Sequence, residues 1–249
     1  MKQIIPLALA VLAFVVVAFA RLLTNGSSDG RSVNQATIVP EVLPAFVDSR
    51  DGKSYGVVKI GDQVWMSENL NYGKMTTTKK LSPGTKWCQG NVKSACDNGF
   101  GGLYSWNVAM NVCPQGWRLP NRDDWITLIR FAGDTHTAGA KLRSRSGWND
   151  YAVEADEGRS VDLESGNGTD NYGFSAFPAG ARTTGEINSG VYGTYWYEAK
   201  DTGYGAFFWT SFESRGNFAY SVILYNNDDR VDLLDNTKNN GFSVRCIKD

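Results

Sequence analysis

Four cysteines and one histidine carry the strongest intrinsic chemistry in this chain, and their settings point to crosslinking rather than catalysis. Cys88 and Cys96 flank a short turn rich in Gly, Asn and Lys, whereas Cys113 and Cys246 bracket most of the chain. Four cysteines permit three pairings. The favoured one joins Cys88 to Cys96 and Cys113 to Cys246, which leaves no cysteine over as a reactive thiol. A structural zinc site needs ligands at short spacing, and no Cys-x-x-Cys accompanies the single histidine. His136 lies between Thr135 and Thr137 behind Gly133, a polar turn that predicts a solvent-exposed imidazole. The glycines lack the Gly-x-Gly-x-x-Gly spacing of a phosphate loop. Carboxylates are plentiful, but nothing singles out two of them for the separation that glycosidase chemistry needs. The expectation is a protein without a catalytic residue.

A binding role has more to work with. The chain holds 8 Trp, 11 Tyr and 12 Phe, more flat apolar rings than one regular core face requires. Tyr192, Tyr195, Trp196, Tyr197 and Tyr204 cluster in a Gly-rich stretch, and closely spaced rings of both parities cannot all point inward from one strand. They are the candidate ligand-binding residues, with rings for sugar faces and neighbouring Asn, Asp and Arg for hydroxyls. A second cluster is acidic: Asp150, Glu154, Asp156, Glu157, Asp162 and Glu164, with Asn167 and Asp170 nearby. Its oxygens suit a hard cation such as calcium, but the spacing matches no EF-hand and a solvated charged face explains it as well. The formal net charge of -1 offers no excess to attract nucleic acid.

These residues need a frame. Residues 1–23 open with Lys2 and an apolar run that ends at Ala18-Phe19-Ala20, the pattern of a signal peptide, and the run is also long enough to serve as a membrane anchor. Residues 24–45 read as a linker, and residues 46–249 as one domain. Strand-like runs at residues 55–60 and 64–66 flank Gly61-Asp62, a hairpin turn. A short helix is expected over residues 104–110. A longer one follows Pro120, capped by Asn121, with Asp123 and Asp124 in its first turn and an apolar stripe of Trp125, Ile126, Leu128, Ile129 and Ala132. Residues 138–170 read as an irregular polar loop, and the last third as an antiparallel meander with one face on the core.

The segments Gly61-Asp62-Gln63-Val64-Trp65-Met66-Ser67-Glu68-Asn69-Leu70-Asn71-Tyr72, Gly102-Leu103-Tyr104-Ser105-Trp106, Cys113-Pro114-Gln115-Gly116-Trp117-Arg118-Leu119-Pro120, Asp170-Asn171-Tyr172-Gly173-Phe174-Ser175-Ala176, Phe208-Trp209-Thr210-Ser211 and Gly241-Phe242-Ser243-Val244-Arg245-Cys246 resemble, in this order, the major paralogous domain family of Fibrobacter succinogenes. The resemblance implies an α+β, C-type lectin-like mixed fold with an antiparallel sheet and a flanking helix, a fold also found in formylglycine-generating enzymes. Those enzymes use a reactive cysteine pair and copper, so their activity is not carried over to a chain whose cysteines all have structural uses. Trp148-Asn149-Asp150 matches a calcium-ligand tripeptide of sugar-binding C-type lectins. It lies far from Cys246, and the companion Glu-Pro-Asn or Gln-Pro-Asp triplet is absent. The expected location is the exterior or cell surface, or a membrane anchorage facing the periplasm or exterior, where disulfides persist. The expected function is an extracellular or cell-surface non-catalytic binding module for polysaccharide or, alternatively, a structural or protein-interaction module of the cell envelope. The membrane is then met only through an uncleaved N-terminal segment.

Overall fold

The computed structural model describes residues 39–154, 161–183 and 202–249. The leader, residues 24–38 of the linker, and Tyr192, Tyr195, Trp196 and Tyr197 lie outside the described residues. The fold is α+β and mostly antiparallel. One sheet runs β1 (Glu41–Val47), β2 (Ser54–Ile60), β3 (Gln63–Met66), β14 (Ile247–Lys248) and β7 (Trp117–Arg118). The other runs β12 (Asp228–Thr237), β11 (Phe218–Tyr225), β10 (Gly205–Glu213), β13 (Phe242–Ser243) and β6 (Leu103–Tyr104). A short parallel pair, β4 (Lys74–Met75) with β5 (Thr85–Lys86), and α1 (Lys93–Ala95) lead into the second sheet.

The β2–β3 hairpin forms as its pattern predicts, with Gly61 at φ 59°, a left-handed value suited to glycine. The first strand starts earlier than expected. β1 takes up residues 41–45 of the predicted linker and pairs with β2, with a register shift between Leu43 and Phe46. Pro44 sits in that irregular stretch, where its missing N–H removes no ladder bond from a central strand.

Strand alternation divides the interior in two. Tyr55, Val57, Met66, Phe207, Trp209, Ala219 and Ile223 enter one apolar cluster, with Trp106 and Val108 of α2 (Trp106–Ala109). Their strand neighbours Val58, Ile60, Trp65, Ala206, Phe208, Val222 and Leu224 enter the other, against Trp125, Leu128, Ile129 and Ala132 of α3 (Arg122–Ala132). The meander therefore buries both of its faces, not one, because α3 covers the face expected to meet solvent. Trp125 packs at 5.1 Å from Trp65 and 5.4 Å from Phe208, measured between ring centroids. α3 begins as its sequence dictates: Asn121 Oδ1 accepts from the Asp124 N–H at 2.8 Å and Asp124 Oδ2 accepts from the Asn121 N–H at 2.7 Å, a reciprocal cap.

Two expectations need correction. Residues 138–170 are not irregular throughout: they form α4 (Ala138–Leu142) and a hairpin of β8 (Tyr151–Glu154) with β9 (Val161–Glu164). Gly139 lets α4 lie directly on β12, since a Cβ there would stand 2.6 Å from the Asp229 carbonyl oxygen. The closing run is also not a fourth meander strand. β13 pairs parallel to β10 and antiparallel to β6, after which the chain crosses to the first sheet as β14. Between them Arg245 is fully buried, donating to Asn69 Oδ1 at 2.7 Å, to the carbonyls of Ser175 (3.1 Å) and Met66 (3.2 Å), and to that of Phe174. Burial lowers its pKa to about 9, partly opposed by Asp170 and Glu68. Carbonyl dipoles and the faces of Phe174 and Phe208 surround the cation.

Candidate functional site

Both disulfides form in the favoured pairing. Cys88–Cys96 closes the turn that carries α1, and Cys113–Cys246 ties the segment before β7 to the residue before β14. No described cysteine is free. Trp117 and Trp125 are both buried, in different clusters. His136 is exposed, and its backbone N–H donates to Asp134 Oδ1 at 2.8 Å within a turn.

Of the five aromatic candidates, Tyr204 is described. It is 48% exposed and sits where three segments meet. Its carbonyl accepts from the Asn226 N–H at 3.0 Å, while the Gly203 N–H donates to Pro178 O and the Gly203 carbonyl accepts from the Asn149 N–H. Gly203, at φ 92°, would place a Cβ 2.5 Å from the Asn149 side chain. The β11–β12 turn that carries Asn226 is held by Arg143, which donates to the carbonyls of Tyr225 (2.8 Å) and Asp228 (2.6 Å) and to Asp229 Oδ1 (2.9 Å).

The Trp-Asn-Asp tripeptide is part of this frame. Trp148 is buried with its indole N–H shared between Ser144 Oγ and Ala176 O, and Asn149 O accepts from Asn226 Nδ2 at 3.0 Å. Several acidic candidates already have local partners. Glu164 accepts from the Tyr151 hydroxyl, and Asp170 accepts from both the N–H and the hydroxyl of Ser175. Among the described residues no three His, Cys, Asp or Glu side chains converge as metal ligands. Asp156 and Glu157 lie outside that set.

A cleft that the sequence reading missed lies between α3 and β12, with a volume of about 530 Å³. Its apolar walls are Ile126 and Ile129 from the helix and Val231 and Leu233 from the strand. Arg122 and Arg130, two turns apart on the helix, stand over it exposed, and neither forms an ion pair among the described residues. Asp232 faces it from the strand side. Burial raises the Asp232 pKa, opposed by Arg230 and reinforced by Asp228. Thus rigid elements hold an apolar floor with two free guanidiniums on one rim and a half-buried carboxylate on the other. The one sequence sign was Leu233-Leu234, adjacent apolar residues in a strand that must point to opposite faces, Leu234 toward one cluster and Leu233 toward the other. Only the packing of α3 beside β12 shows that the helix rim completes a cleft.

Among the described residues no helix is long and apolar enough to cross a membrane. No curated protein and no solved structure matches the chain significantly. The model of the Fibrobacter succinogenes major domain matches residues 58–248, from within β2 to within β14, and the chain belongs to that family.

Proposed function

We propose that this protein is a non-catalytic binding module of the cell surface or exterior, and that its ligand is a polysaccharide. The observation that carries the reading is the α3–β12 cleft: apolar walls for the C–H faces of a sugar, with unpaired Arg122 and Arg130 and the half-buried Asp232 as hydrogen-bonding heads. Such a mix of apolar lining and a few placed polar groups is the usual composition of a small-molecule site. Exposed Tyr204 supplies a second surface for a long chain. The two disulfides agree with an oxidising compartment. The lectin-like relationship of the family belongs to the same reading.

The test is a binding screen of the full chain against soluble glycans and insoluble polysaccharides, with and without calcium. The expected result is saturable binding that falls at least tenfold in Arg130→Ala and Asp232→Asn with folding intact. Loss in Tyr204→Ala alone would move the ligand to the Tyr204 surface, and calcium dependence would assign a role to the acidic stretch at residues 150–170. Absence of binding across the screen would overturn the reading. The runner-up, an interaction module of the cell envelope, draws on β1, an edge strand that exposes Val42 and Val47.

A further inference from the structure

Away from the cleft, the interior brings an amine against an amide. Lys86, the last residue of β5, is 4% exposed and forms no ion pair among the described residues. Its Nζ donates to the backbone carbonyl of Asn71 at 2.6 Å and also to Oδ1 of the same residue, so the amine rests beside the side-chain amide whose carbon is Cγ. Both partners are held in place. The Asn71 N–H donates to the Tyr55 hydroxyl at 3.1 Å, and its Nδ2 donates at 3.0 Å to the carbonyl of Cys96, a residue of the short disulfide. The Lys86 stem runs past Gly102, where a Cβ would stand 2.9 Å from Lys86 Cδ, and the Lys86 carbonyl accepts from the Thr76 N–H at 2.9 Å. Two reactive groups fixed in contact need no bimolecular encounter.

The surroundings favour Lys86 as a nucleophile. Burial, and then Lys53 beside it, lower its pKa to about 8, with Asp97 and Asp51 opposing. At pH 7 about one molecule in ten then carries the free amine. Desolvation next to another cation is a recurring way to activate a lysine. Lys53 supplies that charge: its Nζ donates to the same Asn71 carbonyl at 2.5 Å and pairs with Asp51 at 3.3 Å. On the other side of Asn71 lies Asp97, whose carboxyl Lys93, and then the Asn71 amide and Lys86, hold below the usual carboxylate range. Asn71 and Asp97 both line a pocket of about 260 Å³, with Tyr55 and Glu68 also in its wall.

We propose that Lys86 and Asn71 join in an intramolecular isopeptide bond with loss of ammonia. The neutral Nζ adds its lone pair to Cγ, and the carbonyl π pair moves to Oδ1. The Asp97 carboxylate takes a proton from the added nitrogen and returns it to Nδ2. The electron pair on Oδ1 then restores the carbonyl, the Cγ–Nδ2 bond breaks, and ammonia leaves through the pocket with the electrons of that bond. Overall an ammonium and a primary amide become a secondary amide and an ammonium ion, and no other reactant is consumed. The product ties the segment after β3 to β5 across a separation of 15 residues, closing the basic loop at residues 74–80. It restricts the unfolded chain as a disulfide does, and it survives reduction.

The test is peptide mapping of the full chain, refolded, incubated at pH 8 and reduced before digestion. A freshly refolded chain shows the titrating Lys86, and a joined one does not. The expected product is a linked pair of peptides, one containing Asn71 and the other Lys86, lighter than their sum by one ammonia, about 17 Da. The linkage distinguishes it from succinimide formation at Asn98-Gly99, which loses the same mass and joins nothing. Joining should be at least tenfold slower at pH 6 and in Asp97→Asn, and absent from Lys86→Arg and Asn71→Ala. Chain kept unfolded in urea should not join, which keeps the test decisive if a variant fails to fold. No linked peptides from the folded chain, equal joining in urea, equal rates at pH 6 and pH 8, or an undiminished rate in folded Asp97→Asn would overturn the inference.

Discussion

Removing the Cys113–Cys246 bridge should cost about twice what removing Cys88–Cys96 costs, and the structure sets both magnitudes. A crosslink stabilises chiefly by restricting the unfolded chain, by an amount that grows with the logarithm of the loop it closes. The long bridge spans 133 residues and the short one 8. The chain-entropy relation then gives about 5 kcal/mol for the long loop and about 2.5 kcal/mol for the short one at 25 °C. Cys246 is fully buried in the apolar cluster that also contains Val244 and Phe242, so alanine is the suitable replacement at that end. Urea unfolding of Cys113→Ala/Cys246→Ala and Cys88→Ala/Cys96→Ala, each with the other bridge intact, measures the difference. The long-bridge variant should also show a steeper dependence on urea, since its unfolded state exposes more surface. An equal or smaller loss for the long bridge would refute the reasoning. It would mean that β14, paired to both β3 and β7, holds the chain end by its own contacts.

Lys86 makes stability depend on pH in a window that can be stated. Its pKa is lowered to about 8 by burial and by Lys53, with Asp97 and Asp51 opposing, so the unfolded chain binds more protons between about pH 8 and the ordinary lysine value of 10.5. Stability relative to Lys86→Met should therefore rise across that window, by up to about 3 kcal/mol, and be flat below pH 7. The neighbouring Lys53, Asp51, Asp97, Glu68 and Tyr55 are common to both proteins; a difference that falls as pH rises would refute the assignment. Arg245→Met should lower stability by about 3 kcal/mol or more in denaturant unfolding, because it strands Asn69 Oδ1 and several buried carbonyls. A variant as stable as the parent would show that these acceptors find other partners. Gly139→Ala should cost about 1–3 kcal/mol through its clash with the Asp229 backbone, read as a lowered melting temperature. An unchanged melting temperature would mean that α4 shifts freely on β12.

Local order was legible in the sequence wherever one residue constrains its immediate neighbours. Gly61 marked the β2–β3 turn, Asn121 and the stripe from Trp125 to Ala132 marked α3 and its buried face, and the cysteine spacings favoured the pairing found. Each of these depends on a turn, a cap or a period that is complete within a few residues. The ordered run of motifs likewise placed the chain in its family, since the matched region spans most of the domain. What tertiary structure alone decided involves residues far apart. Alternation could not say that both faces of the meander are buried, because that depends on where α3 lies. It could not divide the closing run into β13 and β14 either, because two short strands in different sheets alternate like one longer strand. The α3–β12 cleft joins side chains about a hundred residues apart, and Lys53 and Lys86 converge on the carbonyl of Asn71. In both, the chemistry resides in the distance between groups that only packing brings together.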